Sequence, residues 1–352
     1  MDWNFIIFSA VKIAVVIGVV QGMVAYAVLA ERKISAWIQD RVGPNRTAPP
    51  FAKHIPVLGR LLTRLGMFQP LADGLKFMFK EDFTPAGVRK IYFFLAPAIA
   101  VIPAMLTVAV IPFGSVLGGQ KMVIADLNVG ILYTFGIVSL GVYGIVLAGY
   151  AANSKYPFLG GIRSSAQMIS YEIAMGMSVV SIFLLVGDLN LSKVVEYQAH
   201  GGWLVLKQPV AFVIFLVAAF AETNRLPFDL PESESELVGG YHTEYSSMRF
   251  ALFFLGEYAN MIASSAMMVT LFFGGWSLPF LGEPANGLLG GILHIGIFVA
   301  KMAAFMVLFI WVRWMFPRFR YDQLMDLGWR RFIPLALANI LVTALVVAFT
   351  NR

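Results

Sequence analysis

The chain has 352 residues, of which 59% are hydrophobic and only 13% charged, with a formal net charge of +6. Soluble domains carry about 25% charged residues, so a single water-soluble core would leave much of this apolar surface unburied. The balance excludes a soluble enzyme, a disordered chain and a disulfide-stapled secreted domain, and predicts an all-α polytopic membrane helix bundle. Cysteine is absent, which excludes iron–sulfur ligation by this chain and any structural disulfide. His54, His200, His242 and His294 lie far apart, without metal-ligand spacing. Phosphate-loop, dinucleotide and zinc-protease signatures are missing, so redox or nucleotide chemistry falls to another chain.

Eight apolar runs of membrane-crossing length are predicted, at 5–29, 91–113, 127–149, 167–187, 203–222, 250–273, 288–312 and 332–350. Only six charged residues fall inside them: Lys12, Glu172, Lys207, Glu222, Glu257 and Lys301. The fifth run is interrupted before Pro209, so it requires Lys207 to snorkel and Glu222 to sit at an end. A ninth, short or re-entrant helix has room within 48–80. The connections that follow the first, third, fifth and seventh runs hold 20 of the 26 Lys and Arg residues. The positive-inside rule places those connections in the cytoplasm and both termini in the periplasm. Met1-Asp2-Trp3 lacks a basic n-region, so the first run reads as an uncleaved span. Topology accounts for the excess of positive charge, and no nucleic-acid partner is implied.

The first connection, 30–90, holds eleven basic residues. Leu58, Leu61, Leu62 and Leu65 repeat at helical spacing, with Arg60 and Arg64 on another face. A second amphipathic helix, opened by Pro70, carries Phe68, Leu71, Leu75, Met78 and Phe79 against Asp73, Lys76 and Lys80. Two interfacial anchors, or a frame admitting a lipid-soluble ligand, both fit this pattern. After the third run, Pro157 and Gly160-Gly161 predict a tight loop, with Ser164 capping the next helix. Glu172 then lies roughly 7–8 Å beyond the start of that span. An intramembrane acid costs about 2.5–3.5 kcal/mol even on the milder insertion scale, which makes it a functional candidate beside the bland reading of a carboxylate satisfied by a neighbouring helix.

The connection 222–249 is the most unusual. Glu222, Asp229, Glu232, Glu234, Glu236 and Glu244 are interleaved with Leu226, Pro227, Phe228, Leu230, Pro231 and Leu237, which is not a solvating composition. Glu257 follows, about 10 Å inside the sixth run. Like-charged, partly desolvated carboxylates cannot all ionise cheaply, and that is the condition a proton relay requires. Lys301, near the midplane of the seventh run, is expected either to pair with one of these acids or to carry protons itself.

These residues resemble the H-type membrane-subunit family of bacterial NADH:quinone oxidoreductase (complex I), whose mitochondrial counterpart is NADH dehydrogenase subunit 1. The similarity runs through Glu31-Arg32-Lys33 with Gln39 to Arg46, and through Gln69-Pro70 with Ala72-Asp73, Lys76 and Lys80-Glu81. It continues in Asn153 to Tyr156 with Arg163, Ala166-Gln167 and Ser170-Tyr171-Glu172. Ala221-Glu222, Asn224-Arg225, Pro227 to Asp229, Pro231-Glu232, Glu236-Leu237 and Arg320 to Met325 complete it.

The resemblance implies a membrane protein that floors a quinone chamber, with ubiquinone or menaquinone as substrate. It implies no redox centre in this chain, with FMN and iron–sulfur clusters in partner subunits. Peripheral-arm and antiporter-like or small membrane subunits are the implied partners, in a bacterial inner membrane. Carried over by position, Glu31, Arg32, Lys33, Arg41, Arg46 and Phe228 belong to the chamber and the peripheral-arm contact. Glu172, Glu222, Asp229, Glu232, Glu236, Glu244 and Glu257 belong to proton coupling, and the reading of Lys301 above adds that residue to the same set. Two positions depart from the family pattern: Ser247, where Gly is usual, and Tyr150, where Trp is common. If Gly is needed there for positive φ, Ser247 strains the backbone. A membrane subunit of an energy-converting hydrogenase or formate hydrogenlyase would share the acids but need no quinone chamber. A free-standing transporter would require internal repeats, and none is visible.

Overall fold

The computed structural model describes residues 3–49, 58–117, 120–278 and 288–350, with the side chains of 3–6, 58, 234, 235 and 288 outside that description. His54 and Lys53 therefore lie outside the described residues, and so does the side chain of Glu234.

The first helix, α1 (Trp3–Ile38), is followed by α2 (Leu58–Leu65) and α3 (Gln69–Phe79), the two short amphipathic helices expected in the first connection. Then come α4 (Lys90–Thr107), α5 (Gly130–Ala151) and α6 (Lys155–Val186). Next are α7 (Leu191–Gly201), α8 (Leu204–Lys207), α9 (Pro209–Glu222) and α10 (Glu234–Leu237). The chain closes with α11 (Ser247–Phe272), α12 (Leu288–Met315), α13 (Tyr321–Asp326) and α14 (Ile333–Thr350). A π-helical turn, Leu327–Phe332, joins the last two. Among the described residues the only strands are Val116–Leu117 and Gln120–Lys121, paired antiparallel. Among the described residues seven helices are long and apolar enough to cross a membrane, and α9 is a shorter apolar helix.

The fifth predicted run is broken. Its 14-residue helix α9 rises about 21 Å, less than the roughly 30 Å of a hydrocarbon core. The break at Gln208 is satisfied from α14: its side chain donates to Thr343 Oγ1 at 2.9 Å and accepts from Asn339 Nδ2 at 2.9 Å. Buried backbone and side-chain polar groups in such a setting need partners of this kind.

The loop expected at Pro157–Gly161 does not exist, and Ser164 caps nothing: both lie inside α6, where Ser164 is buried. Pro157 falls in the first turn, where its missing N–H is not needed. The two glycines serve approach rather than turning. A Cβ on Gly160 would lie 2.8 Å from both the Pro231 carbonyl oxygen and the Tyr241 nitrogen, so the 223–246 segment packs directly on this helix. On α5, a Cβ on Gly149 would collide with the Pro157 carbonyl, and one on Gly144 would meet the Ala100 nitrogen at 2.6 Å. Small residues at crossings are how helices associate where lipid removes the hydrophobic drive.

Helix α4 packs on α5 and α11, and α6 packs on α5, α9 and α14, so α6 and α11 form the two walls of the core. Pro97 and Pro103 lie inside α4. Because Pro97 has no N–H, the Phe93 carbonyl loses its helical donor. Tyr245 supplies a replacement, its hydroxyl donating to that oxygen at 3.2 Å while its ring stacks on Phe93 at 4.1 Å. The connection after α9 is thereby fixed to the first turn of α4.

Candidate functional site

Arg225 organises the site. It lies three residues beyond the end of α9 and is 4% exposed. Its Nη1 donates to both oxygens of Glu31 at 3.2 Å, and its Nε lies 2.6 Å from Glu257 Oε1. Its guanidinium plane also rests 4.4 Å from the centre of the Tyr258 ring. Tyr258 in turn donates its hydroxyl to Glu31 Oε2 at 2.5 Å, and Arg313 from α12 pairs with Glu31 Oε1. Glu31 and Glu257 against Arg225 and Arg313 make a charge-balanced cluster from α1, α11, α12 and the connection after α9. Buried charges persist only when paired and hydrogen-bonded in this way.

A second group adjoins it in the same connection. Arg318 pairs with Asp229 Oδ2 at 2.9 Å, while Asp229 Oδ1 is buried without a hydrogen-bond partner. Burial, and then the charge of Glu232, push the Asp229 carboxyl up to about 6, against the pull of Arg318 and Arg313. Glu232 lies 3.2 Å from His242 Nε2. Burial alone would raise the Glu232 carboxyl, but the hydrogen bond and charge of His242 with the charges of Arg225 and Arg313 outweigh it and hold it below the usual carboxylate range. The two adjacent carboxyls are thus driven apart, Asp229 toward holding a proton and Glu232 toward releasing one.

Glu222 is the last residue of α9 and is 7% exposed. Its carboxylate makes no hydrogen bond or ion pair with any described residue. The half-buried Glu172 on α6 is near enough for the two charges to interact. A cavity of about 30 Å³ has Glu222 and Glu257 on its wall, with Asn224 and Tyr241. It joins the Arg225 cluster to Glu222.

The remaining candidates separate from this group. Arg32 pairs with Asp73 at 2.7 Å, and Lys33 Nζ donates to the Val42 and Arg64 carbonyls, so both stitch α1 to the first connection. Arg41 and Arg46 are exposed. Glu236 pairs with Arg163 at 2.6 Å on the surface, and Glu244 is half-buried. Phe228 is stacked against Phe319 at 5.4 Å and tilted against Tyr171, which makes it a packing residue within this chain.

Lys301 meets no acid among the described residues. Its ammonium donates to the carbonyls of Phe273, Gly275 and Ser277 at 2.6–2.9 Å, closing the end of α11 farthest from the Arg225 cluster. Lys12 behaves alike, donating to the Lys121 and Val123 carbonyls. Lys12 and Lys301 are thus loop fasteners, which overturns the expected pairing of Lys301 with a carboxylate. Reasoning from sequence missed Arg313, Arg318 and Tyr258 as partners. Among the described residues no His, Cys, Asp and Glu group has the geometry of a metal site.

A bundle of long apolar helices, with buried carboxylates and arginines gathered at one end, is an integral, multi-pass membrane protein with an ionisable interior. A family model described as NADH dehydrogenase matches residues 11–344. The NADH-quinone oxidoreductase H subunit numbered 1 in Geobacter metallireducens is 51% identical over 336 residues, covering 94% of each chain. The protein of the same name from Cytophaga hutchinsonii is 46% identical over 347 residues, covering 97% of this chain and 96% of its own. NADH-quinone oxidoreductase subunit 8 of Rhodothermus marinus is 50% identical over 334 residues, covering 91% of this chain and 92% of its own. The chain belongs to the NADH dehydrogenase family, in its H-type branch.

Proposed function

We propose that this chain is the membrane subunit of a proton-translocating NADH:quinone oxidoreductase. In this reading it forms the membrane side of the quinone chamber and carries the carboxylate path that couples quinone reduction to proton movement. It contributes no redox group. FMN and iron–sulfur clusters belong to peripheral-arm partners, and the membrane arm supplies antiporter-like neighbours. Relatives named as quinone oxidoreductases leave the hydrogenase reading without support of its own.

The observation that carries the reading is the joining of Glu31, Arg225 and Glu257 to Glu222 through one buried cavity. Charge arriving near Glu31 alters the balance around Arg225. That change is felt at Glu257 and, across the cavity, at Glu222, because buried charges interact with little screening. Proton affinity at Glu222 is then set by events at the charged end of the bundle.

The test uses membranes holding the assembled enzyme. Glu222→Gln and Glu257→Gln each remove one proton-carrying oxygen at nearly constant volume. NADH oxidation through the membrane quinone, with its proton pumping, is expected to fall at least five-fold in each. Electron transfer from NADH to ferricyanide stays unchanged as the assembly control. Full quinone reduction and full pumping in both variants would refute the path.

A further inference from the structure

A second cavity, of about 20 Å³, lies on the other side of Glu222. It shares two wall residues with the first, Glu222 and Asn260, and continues to Ser264, Thr107 and Thr134. Each cavity exceeds the roughly 10–15 Å³ that one water needs. Glu222, more than nine-tenths buried, has no protein partner among the described residues and borders both. A buried carboxyl in that position calls for water as its partner, since unsatisfied buried polar groups are rare. The side chain of Asn260 likewise makes no hydrogen bond to a described residue. Its amide offers a donor and an acceptor to the same space.

The spacing along α11 shows why the polar wall is continuous. Glu257, Asn260 and Ser264 fall at i, i+3 and i+7 on one helical face, spanning about 10 Å of rise. The far end is suited to receiving water. Thr107 and Thr134 spend their hydroxyl protons on the Pro103 and Gly130 carbonyls, which leaves their oxygens free to accept. Between these groups the wall is apolar, from Phe135, Met175 and Phe215, so a water there has few alternative partners.

We propose that the two cavities are one hydrated passage and that Asn260 is its positioning residue. It orients the water that exchanges a proton with Glu222 and passes one into the Thr107–Thr134 chamber. In one transfer the Glu222 O–H bond breaks, its proton joins the Asn260-held water, and that water releases a different proton to the next. The inference rests on the proton-coupling reading above and adds a direction to it, beyond Glu222 and away from the Arg225 cluster.

Asn260→Leu keeps the branched side-chain shape, adds bulk and removes both polar atoms. In membranes with the assembled enzyme, proton pumping is expected to drop at least five-fold with ferricyanide reduction unchanged. Hydrogen–deuterium exchange of the Glu222 carboxyl, followed by its infrared band and assigned with Glu222→Gln, is expected to slow at least ten-fold. Asn260→Ser, which restores a hydroxyl and room for water, should recover most of both. A purely structural role for Asn260 would not slow carboxyl exchange. Wild-type pumping and exchange in Asn260→Leu, with Glu222→Gln impaired, overturns the passage but leaves the coupling reading standing. An unimpaired Glu222→Gln overturns the coupling reading instead. If Asn260→Leu does not assemble, Ser264→Val is read in the same two assays: slowed exchange supports the passage and wild-type exchange overturns it.

Discussion

Arg225 holds two carboxylates from different helices and an aromatic face at once, which a lysine could not do. Its planar fork meets Glu31 with one nitrogen and Glu257 with another while its flat side lies on Tyr258. Removing one partner of such a buried arrangement strands a charge and costs about 3–5 kcal/mol. Glu31 would keep Arg313 and Tyr258, so the stranded group is Glu257. Arg225→Ala should therefore lower the yield and the thermal midpoint of the purified complex. Adding Glu257→Gln should recover part of that loss, and Arg225→Lys should fall between. Equal losses in the single and double variants would show that the pair with Glu257 contributes nothing. The acids of this cluster were legible from sequence because carboxylates are scarce in apolar runs. Their partners were not, since Arg225 and Arg313 lie 194 and 282 residues from Glu31 and no local pattern joins them.

Ser247 opens α11 with φ at +55°, the left-handed region where a side chain is strained. The family's glycine would adopt that angle freely, so the expected strain is present. Its compensation is also visible: the Ser247 hydroxyl lies 2.9 Å from the carbonyls of Phe77 and Lys80, tying α11 to the end of α3. Ser247→Gly should relieve about 1 kcal/mol of strain while losing this tie, giving a near-neutral change in thermal midpoint. Ser247→Ala keeps the strain and loses the tie, so it should be the less stable of the two. A more stable Ser247→Ala would contradict this account. Tyr150 likewise suits its setting, since its ring and hydroxyl both meet Arg89. At this scale hydropathy located the long helices, because length and composition decide them. It failed at Pro157–Gly161, where residues that usually turn a chain serve close packing. It placed the break before Pro209 but not what satisfies it, since Gln208 is held by a tertiary contact with α14.

Across the whole molecule the charged groups divide by end. The arginine–carboxylate network occupies one end of the bundle, and the carbonyl-bound Lys12 and Lys301 occupy the other. The proposed orientation puts the network end in the cytoplasm. Because the chain has no cysteine, single cysteines can report sidedness without background. Arg320→Cys should react with an impermeant maleimide only in inverted vesicles, and His200→Cys only in intact cells with the outer barrier opened. The opposite pattern would reverse the topology. The tie between Tyr245 and the Phe93 carbonyl has a mechanical consequence at this scale. It clamps the carboxylate-bearing connection to α4 one turn before Pro97, where the helix has lost a hydrogen bond and bends most easily. Ala100, just past that fulcrum, forms part of the wall of the first cavity and is pressed between Gly144 and Gly256. A pull on Tyr245 is thus a torque on the cavity wall, delivered through a lever one helical turn long.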